Sequence, residues 1–253
     1  MTAIALENGI NFRDLGGLRM QDGRRVRPGM LFRSGALSDL SDADLSLLST
    51  LPATAVIDYR DARESDIHPD RLWETASYYA APANPLQAQV SASLDTLVSE
   101  AIHDFDADAF MLELYRLLPF ENPAYRQLVD LLRDENTQTI IQHCAVGKDR
   151  TGIGVALVLF ALGADKQTIL QDYLMTQQTL APFRDTLLTR FNDRLDASGL
   201  RKLDFVLSVH PHCLQAAFDE IEARYGTAQQ WLASEYGLDA HACDAIRNRF
   251  LEE

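Results

Sequence analysis

Short apolar runs rich in β-branched and aromatic residues fall at "TAVIDYR" (54–60), "SYYAAP" (77–82) and "QTIIQHC" (138–144), with "MLFRSG" (30–35) as a fourth. Their length and the turn-forming residues around them predict strands. Between them the period changes. "SDADLSLLSTL" (41–51) opens on a Ser/Asp cap, and "NPAYRQLVDLLRDEN" (122–136) places Tyr125, Leu128, Val129 and Leu132 on one helical face. The second half is helical almost throughout, in segments such as "DKQTILQDYLMTQQTL" (165–180), "PFRDTLLTRFNDRLDASG" (182–199) and "PHCLQAAFDEIEARYG" (211–226), each punctuated by Gly, Pro or Asp. Strands alternating with helices predict an α/β fold with a small, mostly parallel central sheet flanked by helices. No repeat, low-complexity tract or linker divides residues 1–253, which read as a single domain. Residues 83–108 and 180–205 read as lid or insert segments, the first helical in pattern and poor in strong anchors.

Charge narrows the partners. A formal net charge of -14 and a pI near 4.8 argue against nucleic acid, which is bound through clustered Lys and Arg. An anion site in this chain has to be built locally, against the global field. The longest apolar run, "VALVLFALGA", is too short for a membrane span. The start "MTAIALENGINFRDLGG" has neither a basic segment nor an apolar stretch of signal length, and three cysteines form no disulfide framework, so a cytoplasmic setting is expected.

The chemistry concentrates between "TIIQ" and "GIGVALVLFALG", where the insert "HCAVGKDRTG" (143–152) interrupts two apolar segments. A strand-to-helix turn through Gly147 lets the amides of Ala145, Val146, Gly147, Lys148, Asp149, Arg150 and Thr151 converge on an oxyanion at a helix N-terminus. Arg150 adds a planar fork suited to two phosphate oxygens. The ATP-binding phosphate loop does not fit, because the glycine it needs six positions before Lys148 is Gln142, and Asp149 follows the lysine. Cys144 opens a C-x5-R pattern. Thiols at helix N-termini beside cations ionise readily, and a thiolate there attacks phosphorus, giving a phosphocysteine that water hydrolyses. This chemistry needs no metal and no cofactor.

"HCAVGKDRTG" resembles the signature of cysteine-dependent protein-tyrosine phosphatases. Together with "NFRDLGG" (11–17), "RPGMLFRSGALSDLSDAD", "VIDYRDARE" followed by "HPDR", "LQDYLMT" and "YGTAQQWLASEYGL", it is similar to the bacterial tyrosine/serine phosphatase family over roughly residues 8–250. The resemblance implies that family's α/β fold and a metal-free activity on phosphorylated proteins or, as an alternative, phosphoinositides. Residues 83–108 and 180–205 carry no motif of it.

A leaving group needs a proton donor, and no Trp-Pro-Asp loop is present. Asp149 inside the loop, Asp58 at a strand end, and Asp104, Asp106 or Asp108 on a lid are the candidates. Asp58 also reads as a structural ion pair with Arg60. Lys148 is a second cation at the rim, which the resemblance links to crowded anionic headgroups. His143 is placed to hold the loop by hydrogen bonds, and Arg13 either braces the sheet edge or reaches the ligand. "HPHC" (210–213) has metal-type ligands spaced too closely for a finger, and Pro211 reads as a helix start. A pseudophosphatase and a thiol-redox or sulfur-transfer protein are the competing classes; no second cysteine lies near Cys144 in the sequence.

Overall fold

The structure is a computed structural model that describes residues 5–86 and 106–253. Its main sheet has the order β1-β3-β6-β4-β5, built from Arg13–Asp14 (β1), Leu31–Ser34 (β3), Thr139–His143 (β6), Thr54–Asp58 (β4) and Ser77–Ala80 (β5). β3, β6, β4 and β5 run parallel and β1 pairs antiparallel at the edge. β4 and β6 are buried at every position, which is why they read as continuous apolar runs rather than as alternating ones. A second ribbon joins Arg25–Val26 (β2) to Leu251–Glu252 (β7), tying the tail to the first third of the chain.

Eleven helices are present among the described residues. Asp42–Leu48 (α1) and Ala62–Ile67 (α2) each start on a capping box, Ser41 with Asp44 and Asp61 with Glu64. Ala107–Leu117 (α3) and Pro123–Arg133 (α4) lead into β6. Asp149–Leu162 (α5) leaves β6 through the turn 144–148 and is buried along nearly its whole length, apolar all round as a central helix must be. It lies so close to the sheet that a Cβ at Gly154 would sit 2.5 Å from Gln142 Oε1 and 2.8 Å from Tyr59 Oη.

The remaining helices are Lys166–Thr179 (α6), Ala181–Phe191 (α7), Ala197–Leu207 (α8), Pro211–Tyr225 (α9), Ala228–Tyr236 (α10) and Ala240–Phe250 (α11). α9 and α10 pack aromatic rings on α5, with Phe160 5.4 Å from Phe218 and 6.3 Å from Trp231. Pro211 starts α9 as its sequence position suggests. The segment 180–205 forms α7 and most of α8. Their apolar residues Phe183, Leu187, Leu203 and Leu207 rest on Ala145 and Val146. Most of the other segment, residues 87–105 with Glu100, His103 and Asp104, lies outside the described residues. No helix among the described residues is long and apolar enough to cross a membrane.

Candidate active site

The turn from β6 into α5 places Cys144, 2 % exposed, at the end of the central strand and Arg150 in the first turn of the helix. The backbone between them is shaped from behind. Ala145 O accepts from Ala36 N (3.0 Å) and Val146 O from Asn11 Nδ2 (3.1 Å). Gly147 O accepts from both Asn11 Nδ2 (2.8 Å) and Arg33 Nη2 (2.7 Å). No described peptide bond is cis, and in a trans peptide the N–H opposes the C=O. The amides of Val146, Gly147 and Lys148 therefore face away from these anchors, on the inner side of the loop. Gly147 is required: its φ is 68° and a Cβ would lie 2.3 Å from Ser34 O. The N-terminus of α5 has no side-chain cap, so its first amides stay free for a ligand.

Arg150 is aimed by Glu64 of α2, which accepts from both Nη atoms at 2.5 and 2.9 Å. Burial works against the charge of each partner. The bidentate contact outweighs it, holding Glu64 below its usual range and raising Arg150. Arg33 and Arg13 are both held by Asp172 of α6, and Arg13 also donates to Asn11 Oδ1, Thr176 and the Asp172 carbonyl. Arg13 thus braces the sheet edge and supports the loop through Asn11; its guanidinium is occupied by these partners.

Two sequence expectations are refined by burial. The Lys148 ammonium is not at the rim: the side chain is fully buried, donating to Ser208 O (2.8 Å) and lying 3.2 Å from Asp149 Oδ1. Asp58 has the ion pair with Arg60 at 2.8 Å and accepts from Tyr78 Oη at 2.8 Å. Burial would raise Asp58, but the charges of His143 and Arg60 bring it down to about 2, so it is ionised rather than holding a proton to donate. His143 packs with Nε2 3.2 Å from Asp70 and Nδ1 3.4 Å from the Cys144 carbonyl. Burial alone would lower it; the two carboxylates outweigh burial and raise it.

Asp58, Asp70 and His143 could together ligate a metal. Arg60 is bonded to both carboxylates, however, and fills the cationic role between them. Among the lid aspartates, Asp106 caps α3 through Ala109 N and Asp108 pairs with His212 at the surface. His210 Nε2 donates to the Phe205 carbonyl, so the two histidines of "HPHC" have separate partners.

Asp149 remains with the loop. It lines, with Cys144, Ala145, Val146 and Arg150, a cavity of about 30 Å³ closed by Phe110, Met111 and Leu114 of α3 and Val206 and Leu207 of α8. That space holds a water or two. Thr151 Oγ1 is buried with no hydrogen-bond partner among the described residues. Glu64, Asn11, Arg33, Asp172 and Tyr115 join the site without having been singled out from sequence.

A thiol at the end of a strand, an aimed guanidinium and inward amides are together the equipment of a cysteine-based phosphoryl-transfer site. The comparisons bear on the family. The tyrosine phosphatase family model matches residues 4–252. A protein of Cupriavidus necator named as a tyrosine-protein phosphatase is 34% identical over 240 residues, covering 93% of this chain and 85% of that protein. The triple specificity protein phosphatase PtpB of Mycobacterium tuberculosis is 31% identical over 271 residues, covering 94% of each chain. The chain belongs to the tyrosine phosphatase family and is a protein-tyrosine phosphatase.

Proposed function

We propose that the chain hydrolyses phosphomonoesters without a metal, through a phosphocysteine formed on Cys144. The observation that carries this is the loop carbonyls turned back onto Ala36, Asn11 and Arg33, which leaves the amides opposite them to meet the equatorial oxygens of a phosphoryl group. The Cys144 thiolate attacks in line, and Arg150, fixed by Glu64, takes two of the oxygens. Asp149 gives its proton to the leaving oxygen and takes one back from the hydrolytic water. His143 and Arg13 hold the loop and its supports. Residues 1–253 act as one domain, and α3 with the α7–α8 hairpin must part to admit an ester larger than the closed cavity.

Phosphotyrosine proteins are the substrates we infer, with phosphoserine and phosphothreonine accepted in addition; the similarity to a triple specificity phosphatase supports this breadth. Phosphoinositides are the alternative, and that reading needs Lys148 to leave Ser208 and meet a second phosphate. We place the reaction in the cytoplasm, on the three free cysteines. The test is phenyl phosphate turnover with and without chelator, for the native chain and Cys144→Ser. Chelator resistance and loss of turnover in the serine variant are expected. Chelator sensitivity, or turnover surviving in Cys144→Ser, would overturn the mechanism. A panel of phosphopeptides and phosphoinositide vesicles then separates the substrates.

A further inference from the structure

The hydrogen bond and the ion pair that the described residues give the Asp149 carboxylate fall on one oxygen. Tyr115 Oη donates to Oδ1 at 2.7 Å, and Lys148 Nζ lies 3.2 Å from the same atom. Tyr115 is fully buried on α3, and its hydroxyl also touches Tyr173 Oη of α6 at 2.7 Å. A phenol has a single proton. If Tyr115 spends it on Asp149, Tyr173 must be the donor of the second contact. The result is a directed chain from Tyr173 of α6, through Tyr115, to Oδ1. Burial, and next the Asp149 charge, push the Tyr115 phenol well above its usual range, so it stays a donor at any working pH.

We propose that Tyr115, backed by Tyr173, is a positioning residue for the acid step: by occupying Oδ1 it confines the transferable proton of Asp149 to Oδ2. The assignment rests on Asp149 as the general acid. A carboxylic acid has one carbonyl oxygen and one hydroxyl, and the Tyr115 donor together with the Lys148 ammonium beside Oδ1 makes that atom the carbonyl. In the first step the Cys144 sulfur bonds to phosphorus, the bond from phosphorus to the leaving oxygen breaks, and the Oδ2 proton passes to that oxygen. In the second, a water oxygen bonds to phosphorus, its proton returns to Oδ2, and the sulfur–phosphorus bond breaks to restore the thiolate. Tyr115 keeps its own proton throughout and never touches substrate. The placement has a second consequence. Tyr173 follows Asp172, the residue that holds Arg33 against the Gly147 carbonyl. One turn of α6 thus aligns both the acid and the back of the cradle.

The experiment compares kcat/KM for 4-nitrophenyl phosphate, whose leaving group needs little help, with that for phenyl phosphate, whose leaving group needs a proton. Tyr115→Phe keeps the ring and its edge contact with Tyr173 and removes only the donor. It should raise the ratio of the two rates about 10-fold, and Asp149→Asn about 100-fold, within the range usual for general acids. The double variant should match Asp149→Asn, because Tyr115 acts only through that carboxyl. Damage to packing alone lowers both rates together and leaves the ratio fixed. An unchanged ratio in Tyr115→Phe beside a raised one in Asp149→Asn overturns the proposal and leaves the acid standing. A ratio unmoved in Asp149→Asn removes the acid assignment, and the proposal with it. Additive effects in the double variant also refute it. Should Tyr115→Phe fail to fold by thermal melt, Tyr173→Phe decides: a ratio raised about 3-fold supports the chain and an unchanged ratio refutes it.

Discussion

Replacing Glu64 by glutamine isolates the contact that aims Arg150. Glu64 does two jobs: its Oε2 accepts from Asp61 N in the capping box of α2, and its carboxylate takes two N–H groups of Arg150. Glutamine fills the same volume and serves equally well in a capping box. What changes is the charge and one acceptor, leaving an Arg150 N–H facing an amide N–H₂. Both side chains are about 5 % exposed or less, so water cannot compensate. Breaking a buried pair costs about 3–5 kcal/mol, and because glutamine keeps one hydrogen bond the loss should be about 2–3 kcal/mol.

In a chain of this size that loss corresponds to a fall in Tm of roughly 5–10 °C. The guanidinium, freed from one side of its clamp, should cost kcat/KM for an aryl phosphate about 10-fold or more. The pH dependence supplies an independent check. Glu64 titrates below its ordinary value in the folded chain, so its contribution is complete above that ordinary value and is lost as pH falls through the folded one. Urea unfolding of the native chain should therefore lose stability on acidification more steeply than Glu64→Gln does. A loss under about 0.5 kcal/mol with unchanged turnover would refute the argument, since that lies within what an exposed pair is worth.

Gly147→Ala forces a side chain into a left-handed conformation worth about 1–2 kcal/mol and onto Ser34 O. Activity should fall about 100-fold or more through displacement of the loop, and a native-like kcat/KM would show that the loop's shape is not essential. The Asp58–His143 pair should bend stability at both ends of the pH range. The Asp58 contribution, about 2 kcal/mol for a carboxyl held at about 2, is present above its ordinary 3.8 and fades as pH falls below it. The His143 contribution is complete below its ordinary 6.5 and is lost as pH rises through its elevated value, a limb that His143→Gln should lack. Urea midpoints across acid to mildly alkaline pH measure both, and identical alkaline limbs in the two proteins would exclude the His143 part. Asp106→Ala should cost about 1 kcal/mol as a lost helix cap and leave the leaving-group dependence of kcat/KM unchanged, whereas a changed dependence would return Asp106 to the list of acids.

The strands and the loop were legible because their signals are local. β4 and β6 are continuous apolar runs, and Cys144, Gly147 and Arg150 sit at fixed spacing on one turn. The supports are not local. Glu64 and Arg150 are 86 residues apart, Asn11 and Gly147 are 136 apart, and Arg33 and Asp172 are 139 apart. Periodicity says nothing about which acid meets which base over such distances. One residue did carry a signal: Arg33 lies within a run that reads as a buried strand, and a fully buried arginine needs a partner. For Asp58, the sequence offered both a proton donor and a partner for Arg60, and only the surrounding charges choose between them. Lys148 misled for another reason. Its four-carbon stem can carry an ammonium inward as easily as outward, and here the carbonyl of Ser208 receives it.

Those pairings also explain how so acidic a chain can attract an anion. Around the loop the cations Arg13, Arg33, Arg60, Lys148 and Arg150 are matched by Asp172, Asp58, Asp70, Asp149 and Glu64, each cation touching at least one carboxylate. Side-chain charge at the site is therefore close to balanced before the Cys144 thiolate is counted, and His143 adds a positive charge once it is protonated. The attraction for phosphate has to come chiefly from fixed dipoles: the inward amides of the loop and the uncapped N-terminus of α5. Such dipoles act over a short range and from within a buried site, where a net charge of -14 spread over the surface is screened and distant. The role of the ion pairs is then geometric. They hold the backbone in the one shape in which its own N–H groups do the binding.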